Sequence, residues 1–133
     1  MNFPHLVTSL IGIPYKHGGK TLKGFDCWGL LWYFFHEIGI DSPMPTDYET
    51  RKSNNGRNEV AKTLLSNNLK PIENPKEPCV VFFKRGDLTI HAGVWIPEMG
   101  KVLHCVDKMG VVLEHLQIAE MTRGIKGKFY QWV

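Results

Sequence analysis

GFDCWGLLWYFFHEI, residues 24–38, decides how the rest of the chain is read. After Cys27 the apolar residues fall on nearly every position, which predicts a helix from Cys27 to about Ile38 that is central and buried, with Gly39 placed as its C-terminal stop. Trp32, Tyr33, Phe34 and Phe35 read as core rather than as a sugar platform. Cys27 therefore stands where a loop becomes a helix. A free cysteine is most often an inert, buried small hydrophobe. At a helix N-terminus it has a second prospect, because the unpaired N–H groups there stabilise a thiolate and lower the thiol pKa. The N–H of Cys27 itself is then left to help bind an oxyanion.

Working outward, Pro4 to Ile11 is expected to form a short helix ended by Gly12 and Pro14. YKHGGKTLKGFD (15–26) reads as an ordered loop, with three glycines and few apolar residues. DSPMPTDYETRKSNNGRN (41–58) is polar, with two prolines, and reads as a long loop bordering a cleft. From Glu59 to Leu69 the spacing of Val60, Leu64, Leu65 and Leu69 predicts a second, amphipathic helix. Beyond KPIENPKEP (70–78) the period changes. CVVFFK (79–84), LTIHAGVWI (88–96), KVLHCV (101–106) and GVVLEHL (110–116) are short, rich in β-branched and aromatic residues, and separated by turn signals. They predict an antiparallel meander, and GKFYQWV (127–133) adds a last strand. Helices first and strands afterwards make an α+β domain.

The 133 residues, 43% hydrophobic and 22% charged, suit one domain spanning 1–133 with a single sizeable core. The formal charge of +3 is carried by scattered lysines and arginines. No nucleic-acid partner is indicated, whereas attraction to an anionic polymer such as a cell wall is compatible. Three cysteines cannot all pair, so a reducing compartment is expected. The opening MNFPHLVTSLIGIPYKHGG carries no signal-peptide pattern, which predicts a protein that is cytoplasmic when synthesised. No apolar run reaches the roughly 20 residues that span a bilayer, so no membrane insertion is expected. Action outside the producing cell would need some other delivery.

A thiol nucleophile requires an imidazole within reach and a third polar group to hold that imidazole in the right tautomer. Of the six histidines, His17 in the glycine loop has no obvious orienter. His36 lies about two and a half turns past Cys27 on the same helix, too far to touch the thiol. His115 follows a strand and reads as solvent-exposed. His91 opens HAGVWI and His104 closes KVLH, on consecutive predicted strands where such residues can face each other directly. Read singly, His91 is a histidine satisfied by a backbone carbonyl and His104 a strand-end polar residue; read with Cys27 they make a Cys/His/His triad. A zinc site from Cys27, His91, His104 and Cys105 has suitable ligand types. It lacks C-x-x-C or H-x-x-x-H spacing, and residues 104 and 105 of one strand point to opposite faces. No metal or other cofactor is expected.

These segments resemble the NlpC-type family of papain-like cell-wall cysteine peptidases. The opening motif of that family is similar to GIPYKHGG followed by GFDCWGLLWYFF, its second motif to HAGVWI, and its third position to His104 in VLH. The resemblance covers nearly the whole chain in the expected order. It implies a papain-like NlpC-type fold, with N-terminal helices packed on a C-terminal antiparallel sheet of about five or six strands. It implies Cys27 as nucleophile, His91 as general base and then acid, and His104 as the residue orienting His91. Tyr15 would lie beside the thiol and help the oxyanion or bind substrate. Asp26 would engage the free amino end of a stem peptide, alongside a role as helix N-cap. Trp28 stands where the family usually has serine, as a changed wall of the substrate pocket. Pro78 and Cys79 stand where the family has Gly-Asp, and Cys79 reads as a buried structural thiol.

The activity so implied is hydrolysis of an amide bond in the peptidoglycan stem peptide, at a bond from D-glutamate through its side chain to a diamino acid. The Asp-Cys-Trp-Gly variant resembles the branch found in tail-assembly proteins of long-tailed phages and prophages. That branch implies tail-tip proteins as partners and a place on the virion tail, acting at the bacterial cell wall. Two alternatives stand beside it: an assembly protease that cuts a tail protein, and a non-enzymatic tail-tip module that retains the triad.

Overall fold

A computed structural model of the chain describes residues 3–43 and 53–133. Helix α1 (Phe3–Leu10) buries Val7 and Leu10. A short hairpin follows, β1 (Lys20–Thr21) with β2 (Gly24–Phe25). Next comes the long apolar helix α2 (Cys27–Glu37). Helix α3 (Asn54–Asn67) leads into β3 (Leu69–Pro71). The remaining strands are β4 (Cys79–Arg85), β5 (Leu88–Ile96), β6 (Lys101–Val106) and β7 (Gly110–His115). Helix α4 (Leu116–Arg123) and β8 (Lys126–Trp132) complete the chain. The expected α+β architecture is observed: the helices pack on a six-stranded antiparallel sheet of order β3-β8-β4-β5-β6-β7. The last strand does not end the meander but returns to pair between β3 and β4.

Strand alternation divides the sheet into two faces. Val80, Phe82, Ala92, Val94, Leu103, Cys105 and Val111 join the main core with Phe25, Trp28, Leu30, Leu31, Phe34 and Phe35. On the opposite face Val81, Phe83 and Val102 meet Ala119 of α4 and Ile125 in a smaller core. Phe82 is the centre of the main layer, with its ring 5.6 Å from that of Trp28 and 4.9 Å from that of Tyr130.

Three expectations need correction. Helix α3 begins at Asn54, inside the stretch expected to be loop, because Ser53 caps it by accepting from the N–H of Gly56 at 3.0 Å. Residues 44–52 of that expected loop lie outside the described residues. Helix α4 was not expected; it has no side-chain cap, and it ends on Gly124 in the left-handed region at φ 63. Helix α2 is not buried all round: Phe34 and Phe35 are core, whereas Trp32 and Tyr33 are only half-buried and His36 is exposed. Trp32 stacks on His36 at 5.1 Å. Gly39, at φ 91, ends α2 as the sequence predicts.

Candidate active site

Asp26 and two glycines set the thiol in place. The Asp26 backbone is extended, and its Oδ1 accepts from the N–H of Gly29 at 2.6 Å, which caps α2 directly ahead of Cys27. The N–H of Asp26 donates to Gly19 O at 3.0 Å, so the glycine loop is tied across the first turn. A Cβ on Gly29 would collide with the Gly19 carbonyl oxygen, and a Cβ on Gly19 with that of Gly24. The close approach of loop to helix therefore demands glycine. Tyr15 is aligned by the same loop, through a bridge to Phe25 flanked by hydrogen bonds from Lys16 N–H to Phe25 O and from Phe25 N–H to Pro14 O.

The sheet supplies the imidazoles. Pairing of β5 with β6 runs from Ile96↔Lys101 to Val94↔Leu103. Beyond that pair the strands part, and a cleft of about 240 Å³ opens, lined by Ile90 and His91 of β5, Cys105 and Val106 of β6, and Cys27, Tyr15, Arg57, Arg85 and Arg123 among others. His91 and His104 are not directly opposite. Gly93, one residue past the last register pair, still lies close to His104: a Cβ on it would stand 3.0 Å from His104 Cβ. The missing side chain lets His104 lean diagonally to His91, with His91 Nε2 2.8 Å from His104 Nδ1. Both rings lie against Phe83, at 5.3 and 5.7 Å. Asn58 of α3 secures the start of β5, accepting from the N–H of Thr89 at 2.9 Å.

Two residues that the sequence did not point to extend this chain of contacts. His104 Nε2 lies 2.7 Å from Glu114 Oε1, and Arg123 Nη1 donates to the same oxygen at 2.8 Å. Glu114 pairs in register with Val102, so it is again a diagonal neighbour of His104 on the same face. Arg57, from the stretch read as loop, is the third omission; its charge acts on Cys27, Tyr15 and His91.

Burial governs the electrostatics. It pushes the Cys27 thiol up to about 11, reinforced by Asp26 and opposed by Arg57 and the N–H groups of Ala92 and Trp28. The expected lowering by the helix terminus is thus outweighed. Burial also holds His91 well below its usual value, with His104, Arg123 and Arg57 acting in the same direction. His104 is lowered by burial against the opposing pull of Glu114. Both shifts favour the uncharged thiol and the uncharged imidazole in the resting site. Burial raises Tyr15 to about 12, so it remains a phenol able to donate.

Cys27, His91, His104 and Tyr15 are thus assembled at or beside one cleft. Asp26 is buried beneath it as the cap. Trp28, expected as a pocket wall, is corrected: its side chain is fully buried in the main core against Phe82 and offers no surface to a substrate. Cys79 is buried as read, with its thiol raised to about 12. A zinc site does not fit, since both His104 nitrogens have partners within the chain and the Cys105 thiol donates to Phe25 O at 3.1 Å.

Comparison with known proteins places this geometry. The E. coli K12 protein "Murein DD-endopeptidase MepS/Murein LD-carboxypeptidase" is 28% identical over 106 residues, which are 79% of this chain and 48% of that protein. The chain therefore spans about half the length of that relative. "Probable peptidoglycan endopeptidase LytE" of Bacillus subtilis strain 168 is 52% identical over 29 residues, 22% of this chain and 9% of that one. The crystal structure of the NlpC/p60 domain of the peptidoglycan hydrolase SagA superposes with a TM-score of 0.62 at 16% identity, covering 95% of this chain and 93% of that one, and so shares the fold. The profile of the NlpC/P60 family matches residues 12–129. The chain belongs to the NlpC/P60 family.

Proposed function

We propose that this chain is a cysteine peptidase domain that hydrolyses an amide bond in the stem peptide of peptidoglycan. The observation that carries this reading is Cys27, at the first turn of α2, sharing a cleft with His91, whose far nitrogen is held by His104. On substrate entry the Sγ proton passes to Nδ1 of His91, and Sγ attacks the carbonyl carbon. The oxyanion is met by the N–H of Cys27, which has no acceptor within the helix, and by the Tyr15 hydroxyl. His91 then returns the proton to the leaving amine, which departs to leave a thioester. A water gives its proton to His91, its oxygen attacks the thioester carbon, and the freed sulfur regains a proton. Atoms and charge balance without an added cofactor.

The lining of Arg57, Arg85 and Arg123 suits a substrate that carries carboxylates, and the bond from D-glutamate to a diamino acid is the one we assign. Asp26, beside its role as the cap of α2, is assigned to the free amino end of the stem peptide. The names of the E. coli and B. subtilis relatives agree with a wall substrate. The Asp-Cys-Trp-Gly variant supports the finer reading we propose, a tail-associated protein of a phage or prophage, made in the cytoplasm and acting at the wall from the virion tail beside tail-tip proteins. The purified protein is expected to release new amino groups from peptidoglycan, and Cys27→Ala to abolish the release. Mass spectrometry of the digest identifies the bond. An unaltered digest from folded protein would reject the reading in favour of a tail-tip module without turnover.

A further inference from the structure

We propose that Glu114 is a positioning residue that fixes the tautomers of both histidines, anchored for that purpose by Arg123. The inference rests on the peptidase reading for its consequence, but its geometry stands by itself. Glu114, as the carboxylate ion-paired with Arg123, can only accept hydrogen bonds. His104 must then carry its proton on Nε2 to donate across the 2.7 Å contact. A neutral His104 is consequently bare at Nδ1, where it can only accept. His91 therefore donates from Nε2 across the 2.8 Å contact, and its Nδ1 lone pair is left for the thiol proton. One carboxylate decides the protonation of an atom two rings away.

The charge serves a second purpose once His91 is protonated. The imidazolium is then linked through a fully buried, uncharged His104 to a carboxylate, within a low-dielectric layer against Phe83. Arg123 keeps that carboxylate in place from α4, where its Nη1 also donates to Ala119 O at 3.3 Å, and Arg85 of β4 donates to the Arg123 carbonyl at 3.4 Å. Among the described residues, the charges that act on His91 are those of His104 from β6, Arg57 from α3 and Arg123 from α4; Cys27, Tyr15, Cys105, Arg85 and Asp107 line the same cleft, and the groups in contact with Glu114 are His104 and Arg123. Each cation disfavours a protonated His91, and Glu114 is the countercharge at the end of the hydrogen-bonded chain.

The test uses the full chain with ¹⁵N-labelled histidine. In the wild type, NMR at neutral pH is expected to show both rings as the Nε2–H tautomer; a His91 carrying its proton on Nδ1 would overturn the proposal with no mutant at all. Glu114→Gln keeps the size of the side chain and removes its charge. It is expected to give mixed tautomers, to lower kcat on peptidoglycan by about 10–100-fold, part of what a positioned base contributes, and to leave KM within about twofold of the wild type. The acid limb of its rate profile should move to lower pH, since His91 protonates less readily without the countercharge; simple loosening of the fold would not shift it that way. Wild-type tautomers and an unchanged kcat in Glu114→Gln would sink the idea. Locked tautomers in a wild type that digests no peptidoglycan would uphold it while rejecting the peptidase reading.

Discussion

At the scale of single residues, Gly93 shows how a small side chain can govern reactivity. It neither titrates nor lines the cleft, yet it occupies the place beside His104 where any Cβ would press on His104 Cβ and on Val102 Cγ2, both at 3.0 Å. Gly93→Ala is expected to displace His104, lengthen its contact with His91 and lower kcat by about 10–100-fold. Circular dichroism should remain that of the folded protein. Full activity in a folded Gly93→Ala protein would show that the diagonal contact is dispensable. Cys27, His91 and His104 were legible in the sequence because their residue types and motif settings are local. Glu114 was not, because nothing in GVVLEH reveals that β7 is registered against β6 so as to bring position 114 diagonally to position 104. Trp28 was misassigned for a related reason: its neighbour Cys27 faces the cleft, and only the helix phase shows that Trp28 turns into the core.

Among the elements, α2 and the loop that crosses it form the most demanding joint. Gly29→Ala forces the added methyl into the Gly19 carbonyl and separates the loop from the helix. Its expected cost is about 1–3 kcal/mol, as for overpacking of a core, and because Tyr15 rides on that loop, activity should fall further than stability. Urea titration and turnover of the same preparation check both; an unchanged midpoint would refute the close-approach account. The strands were readable because β-branched and aromatic residues run in short blocks between turn signals. Helix α4 was not, since LQIAEMTR is short and its N-cap position, His115, makes no side-chain cap. The start of α3 was hidden because Asn-Asn-Gly-Arg-Asn has turn composition, and only the cap from Ser53 converts it into a first helical turn.

For the whole molecule, buried titratable groups predict a stability profile that falls on both sides of neutrality. His91 and His104 protonate less readily folded than unfolded, so their contribution is complete above their ordinary value of 6.5 and drains as pH falls below it. The thiols behave oppositely: Cys27, raised to about 11, and Cys79 and Cys105, raised to about 12, stay protonated in the fold while the unfolded chain ionises. Stability should therefore decline again above 9.0, the ordinary thiol value. Denaturation midpoints measured across this range should form a plateau with two shoulders. A midpoint that is level down to pH 5 would contradict the burial of the histidines.

The parting of β5 from β6 has a consequence for how such a protein can be improved. An antiparallel ladder ordinarily insulates the two faces of a sheet from one another, and here, where no ladder pair follows Val94↔Leu103, the thiol of α2 and the imidazole of His91 line one cleft. A variant that re-zipped those strands would gain backbone hydrogen bonds and lose its workspace. Selection for thermal robustness alone would thus steer this fold toward silence.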